Sequence, residues 1–109
     1  MAYQQYKTYA AGVTGTQLST NVDPSISPTN TTIVVYLVGT GSYSVQWSFD
    51  DFANVSDANA RWFTDPQIPV GSTTSLYSNF PYNATRVRLV IVSNSAGIEM
   101  KLIQGYTIN

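Results

Sequence analysis

The 109-residue sequence predicts an all-β fold: a single antiparallel β-sandwich, jelly-roll-like, with an extended N-terminal segment. Three observations predict it. Apolar and polar residues alternate over several short runs, most cleanly in SYSVQWSFDD (42–51), where Tyr43, Val45, Trp47 and Phe49 interleave with Ser44, Gln46, Ser48 and Asp50. The runs are rich in Val, Ile, Thr and aromatic residues, and Gly, Pro, Asn and Ser clusters separate them. No stretch carries the apolar spacing of a sustained amphipathic helix, and residues 51–62 hold at most one short turn.

The elements follow in order. YQQYKTYA (3–10) places Tyr3 and Tyr9 on one face of a strand and Tyr6 on the other, which suits an edge strand or an arm. Residues 11–31 contain Pro24 and Pro28, which cannot donate to a ladder. Within them, Val13 to Leu18 can add a short strand. Residues 1–30 are therefore read as an N-terminal arm and irregular segment, and 31–109 as the sandwich body of one domain. TTIVVYLVG (31–39) is apolar on both faces, as in a central strand covered on both sides. The alternating run from Ser42 is the next strand, and ARWFT (60–64) and STTSLYSNF (72–80) are shorter ones.

TRVRLVIVS (85–93) sets Val87, Leu89 and Ile91 against Arg86 and Arg88. GIEMKLIQGYTI (97–108) sets Ile98, Met100 and Leu102 against Glu99 and Lys101. NSAG (94–97) reads as the hairpin turn between these two runs. Opposite residues of a hairpin share a face, so Arg86 and Arg88 are expected beside Glu99 and Lys101.

Composition removes whole classes of chemistry. The chain has no Cys and no His, so disulfides, thiolate sites, the usual neutral-pH base and nearly all transition-metal sites are excluded. Charged residues make up 10% of the chain with a net charge of −1, against about 25% in ordinary domains. Such a surface has little pull on nucleic acid. No run approaches the ~18 apolar residues of a membrane helix. The opening MAYQQYKTYAAG lacks the pattern of a signal peptide, which points to synthesis in a cytoplasm. No cofactor motif is present.

Asp50 and Asp51 invite a catalytic reading, but neighbours on a strand point to opposite faces and cannot flank one scissile bond. They read as a strand end with an Asx-type turn. The weaker alternative is a cation site with Asp50, Asp51, Asn54 and Asp57 as oxygen donors, although the spacing departs from the calcium-loop pattern. Trp47 shares a face with Val45 and Phe49 and reads as core. Trp62 and Phe63 point to opposite faces, so one is expected to be exposed or interfacial. Tyr3, Tyr6 and Tyr9, with Arg61 and Trp62, are the contact candidates, because Tyr, Trp and Arg are enriched at interfaces.

YSVQWSFDDF, then ARWFTDP, then FPYNATRVRLVI and GIEMKLIQ occur in an order that resembles small β-sandwich virion proteins of tailed bacteriophages, of head decoration or cement type. The resemblance spans roughly residues 43–104. It implies a non-enzymatic protein that binds the major capsid protein on the virion surface and assembles with copies of itself, a trimer being one arrangement. It makes Trp47, Phe49, Asp50, Trp62, Phe63, Arg86 and Arg88 determinants of fold and packing. The alternative is a carbohydrate- or receptor-binding module of a fibre or tail component, with an exposed aromatic shelf. With no His and no paired carboxylates, a hydrolase is the least supported class.

Overall fold

The computed structural model describes residues 2–22, 31–51, 53–80 and 82–105. Among these, nine antiparallel strands form two sheets. They are β1 (Ala2–Tyr9), β2 (Gly15–Thr16), β3 (Thr20–Asn21), β4 (Thr31–Leu37), β5 (Gly41–Ser48), β6 (Trp62–Thr64), β7 (Leu76–Phe80), β8 (Arg86–Asn94) and β9 (Ile98–Gly105). The four-stranded sheet runs β1-β9-β4-β7. The five-stranded sheet runs β2-β8-β5-β6, and β3 also pairs with β8. β2 and β3 lie along the same strand, opposite Ile91–Val90 and Val87–Arg86, and act as two halves of one interrupted strand. So counted, the order is that of an eight-stranded jelly roll, in which successive strands mostly alternate between sheets. Among the described residues no helix is long and apolar enough to cross a membrane.

Period-two alternation builds the interior. Ile33 and Val35 of β4 and Ile98, Met100 and Leu102 of β9 meet Tyr43, Val45 and Trp47 of β5 and Val87, Leu89 and Ile91 of β8, all essentially inaccessible to solvent. Burying each large aliphatic side chain contributes about 1.5–3 kcal/mol. The ladder slips by one residue between Ser42 and Tyr43. Beside the slip, a Cβ on Gly41 would lie 2.5 Å from the Ser93 carbonyl oxygen, so this position needs glycine.

Four expectations change. Residues 2–9 are not a separate arm: they pair residue for residue with β9, from Ala2 opposite Gly105 to Tyr9 opposite Ile98. Without β1, the strand β9 would be left with an open edge. NSAG is not a hairpin turn but an arch, since β8 and β9 belong to different sheets. Asn94 stabilises the arch, accepting the Gly97 N–H at 2.7 Å and donating to the Ala10 carbonyl at 2.9 Å. Gly97 has φ near +122°, which suits a residue with no Cβ. Arg86 and Arg88 therefore lie on the opposite side of the molecule from Glu99 and Lys101. Phe49 lies just past the end of β5 and is exposed rather than core. Finally, β4 is central but covered on its inner face only, with Tyr36 open to solvent. The segment holding Pro24 and Pro28 lies outside the described residues.

Candidate functional site

The two outer faces of the sandwich differ. On the five-stranded sheet, the loop after β5 folds back over the strands. Asp57 anchors it: its carboxylate accepts the Ser19 N–H at 3.1 Å, the Ser19 hydroxyl at 2.8 Å and the Arg86 guanidinium at 2.7 Å. Arg86 is only 3% exposed and also donates to the Val55 carbonyl. Trp62 closes the loop from its other end, its indole N–H donating to the Asp57 carbonyl at 3.1 Å. The Arg88 guanidinium sits 4.0 Å from the Trp62 ring centroid, within cation–π range. Trp62 is thus mostly occupied inside its own chain.

The Asp50–Asp51 pair resolves as a strand end. β5 stops at Ser48. Asp50 accepts the Arg61 backbone N–H at 2.6 Å and the Arg61 guanidinium at 3.2 Å, while most of the Arg61 side chain stays in solvent. Asp51 makes the Asx turn, accepting the Ala53 N–H at 2.9 Å and the Asn54 side-chain amide at 2.5 Å. The cation reading placed Asp50, Asp51, Asn54 and Asp57 around one ion. Each of the three carboxylates instead serves a different set of donors: Asp50 those of Arg61, Asp51 those of Ala53 and Asn54, and Asp57 those of Ser19 and Arg86. Among the described residues no group of three or more acidic, His or Cys side chains is placed to hold a metal.

Burial works against the Asp57 charge, but hydrogen bonds from Ser19 and Arg86 outweigh it and hold the carboxyl below its ordinary value of 3.8. Asp50 is lowered too, chiefly by the Arg61 N–H. A carboxyl lowered on folding adds stability that is present above the unfolded value and lost as pH falls through the folded one. We therefore expect the loop to loosen only once pH drops below 3.8. Acrylamide quenching of Trp62 emission in a Trp47→Phe background reads this. Asp57→Asn should remove the pH step, and an unchanged step in that variant would place its origin elsewhere.

At one end of the sandwich an aromatic rim emerges from the core. Trp47 stacks on Phe80 with centroids 4.3 Å apart and planes 6° apart. Phe80 meets Tyr82 edge-on at 5.3 Å, and Phe49 meets Phe63 edge-on at 5.9 Å. Phe49, Phe63 and Tyr82 are exposed, Tyr82 by 64%. Phe49, Asp50, Arg61 and Phe63 line a shallow cleft of about 270 Å³. Of the Trp62–Phe63 pair, Phe63 is the exposed one: the loop and Arg88 engage Trp62, while β6 is the edge strand of its sheet among the described residues.

Among the described residues, no element covers the outer face of the four-stranded sheet. Ladder register places Tyr6, Lys101, Val34 and Tyr77 in one row across β1, β9, β4 and β7. The next row holds Thr8, Glu99 and Tyr36. Tyr6, Tyr36 and Tyr77 are exposed, Tyr77 by 76%. The Glu99 carboxylate, acting as acceptor for the Tyr6 hydroxyl, and then desolvation raise the Tyr6 pKa above the usual phenol value. The Lys101 ammonium lies 5.9 Å from the Tyr6 ring centroid.

Of the tyrosines predicted as contacts, Tyr6 stands on this face. Tyr9 instead packs half-buried against the core, and Tyr3 is described only by its backbone, opposite Gln104. Tyr36 and Tyr77 went unremarked in the sequence. For Tyr36 the signal was there, since it alternates with the core residues Ile33 and Val35 along β4. Tyr77 sits in a run whose inward residues, Leu76, Ser78 and Phe80, are too mixed to declare a face.

No protein-family model matches this chain, and no curated protein does. One solved structure, described as Bacillus endospore appendages that form a novel family of disulfide-linked pili, matches with a TM-score of 0.43 and 12% identity over 98% of this chain and 88% of that one. A likeness this distant carries no argument about assembly.

Proposed function

We propose that this chain is a non-enzymatic structural protein that works by contact, and more finely a head decoration protein of a tailed bacteriophage. In this reading it is made in the host cytoplasm, binds the major capsid protein on the virion surface and associates with copies of itself. The observation that carries the contact reading is the outer face of the four-stranded sheet, which no described element covers. Three exposed tyrosines and Val34 gather there, on a chain with only 10% charged residues. Tyrosine suits such a surface because it supplies large contact area with a polar tip. The phage reading rests on the sequence resemblance alone.

The test is co-sedimentation with capsids that lack the protein, together with its copy number in purified particles. Tyr36→Asp with Tyr77→Asp should reduce capsid binding by about tenfold or more while leaving the fold intact, since both side chains face solvent. Hundreds of copies per particle are expected on the head reading. A dozen or fewer would move the protein to the tail, and none would end the virion reading.

A second reading has its own observation, the rings of Phe49 and Phe63 that line the cleft with Asp50 and Arg61. Aromatic faces next to a carboxylate and a guanidinium suit a carbohydrate. A glycan array with and without calcium, repeated on Phe63→Ala, tests it. Signal lost in that variant supports the module, and a blank array removes it.

A further inference from the structure

We infer that the occupant of this sheet face is a second copy of the same chain, packed face to face about a two-fold axis that passes over β9 at Met100. This rests on the contact reading above and names its partner. The argument begins with charge. Glu99 and Lys101 project from β9, an inner strand of the sheet, in adjacent rows of the outer face. They stand about 7 Å apart along the strand. Among the described residues neither forms an ion pair. An acid and a base fixed two residues apart are complementary to their own image turned end for end.

The axis lies in the plane between the two sheets, perpendicular to β9. It sends each row of one copy over the neighbouring row of the other. Lys101 then meets Glu99 of the second copy, and Glu99 meets Lys101 of the second copy. The same turn lays Tyr36 over Val34 of the second copy and Tyr6 over Thr8 of the second copy. Sheets packed in this way cross at about 30°, so the register is best near the axis, at β9 and β4. A carboxylate accepts several hydrogen bonds, so Glu99 can hold the Tyr6 hydroxyl and the incoming lysine together.

The opposite outer face cannot do this, because the loop anchored by Asp57 and Trp62 covers it. The size of the face sets the expected strength. Four strands of about seven residues give a footprint of roughly 450 Å² per copy. The pair then buries roughly 900 Å², under the roughly 1,200–2,000 Å² of stable complexes. The dimer should therefore be weak, with a dissociation constant in the micromolar range.

Sedimentation velocity on the full chain, from micromolar to millimolar concentration, is the test. The wild-type chain should pass from monomer to dimer across that range. Lys101→Glu and Glu99→Lys should each weaken the dimer by about tenfold or more, because like charges then face each other. The double variant restores opposite charges and should recover to within about threefold of wild type. That recovery also answers any doubt that the single variants have misfolded. Tyr36→Ser should weaken the dimer without responding to charge reversal. A chain that stays monomeric throughout, forms a trimer, or dimerises regardless of these charges overturns the pairing. If the monomer still binds capsids through Tyr36 and Tyr77, the contact reading survives with the capsid protein as occupant. If dimers form but no capsid binds, the pairing survives and the phage reading falls.

Discussion

Trp47→Ala should lower the free energy of unfolding by about 4 kcal/mol, since truncating a buried aromatic residue costs about 3–5 kcal/mol. Trp47 is inaccessible to solvent and is the largest side chain in the core. Three losses coincide at this position. The apolar area returns to water, the stack against Phe80 disappears, and the indole N–H no longer reaches the Asp65 carboxylate at 2.9 Å. Asp65 is itself 1% exposed, and among the described residues its carboxylate keeps the Gln67 N–H at 2.8 Å. A buried carboxylate deprived of a donor adds a desolvation cost of about 1–3 kcal/mol. Domains of this kind are stable by about 5–15 kcal/mol in total, so the variant should sit near the edge of folding. Urea unfolding followed by far-ultraviolet circular dichroism gives the number. Trp47→Phe keeps the stack and should cost clearly less. Equal costs for the two variants would show that the Asp65 hydrogen bond, not packing, dominates.

Arg86→Ala should cost about 3 kcal/mol, at the low end for breaking a buried ion pair, because the partner Asp57 keeps some access to water. Arg86 spans from the sheet to two points of the loop, the Asp57 carboxylate and the Val55 carbonyl. Among the described residues its Nε has no hydrogen-bond partner, so two hydrogen bonds, with the Trp62 ring 6.0 Å from the guanidinium, hold its buried charge. Lysine offers a compact ammonium in place of the planar fork and should rescue less than half of the loss. Arg61→Ala is the control. Its pair with Asp50 is exposed on the arginine side, and the Arg61 backbone N–H, which makes the shorter bond, survives the substitution. Exposed pairs contribute less than about 1 kcal/mol. If both variants lose the same amount, the loop is not held by Arg86, and the covered face of the sandwich would need another explanation. Trp62 quenching separates loop release from global unfolding.

These two positions show how far the residues could be read in advance. Trp47 declared itself because Tyr43 and Val45 precede it at alternate positions with polar residues between them, and an alternating strand has only one side to bury. Arg86 did not. It alternates with Val87 and Leu89, which reads as a solvated face, and nothing local announces that residues 55–57 return across that face. The same blindness reversed the arch at Asn94–Gly97. A four-residue link suits a hairpin, and only the pairing of β8 with β5 and of β9 with β1 and β4 shows that the chain changes sheets there. Once the arch is seen, the expected cluster of Arg86, Arg88, Glu99 and Lys101 separates into two faces with different fates. The candidate contact residues divided for a related reason. Tyr6 and Tyr9 lie three apart on a strand, so one had to face outward and one inward, but the sequence did not say which.

Local order in the chain was enough to establish that the protein is made of strands, that Trp47, Val45, Leu89 and their kin point inward, and that chemistry needing His or Cys is closed to it. Those conclusions depend on side-chain identity and on the two-residue repeat of an extended backbone, both of which operate over a few residues. Strand order, the loop that shields one outer face and the bare tyrosines on the other were settled by pairings between residues tens of positions apart. Hydrogen-bond ladders are built from backbone groups that every residue shares, so the letters alone do not name their partners.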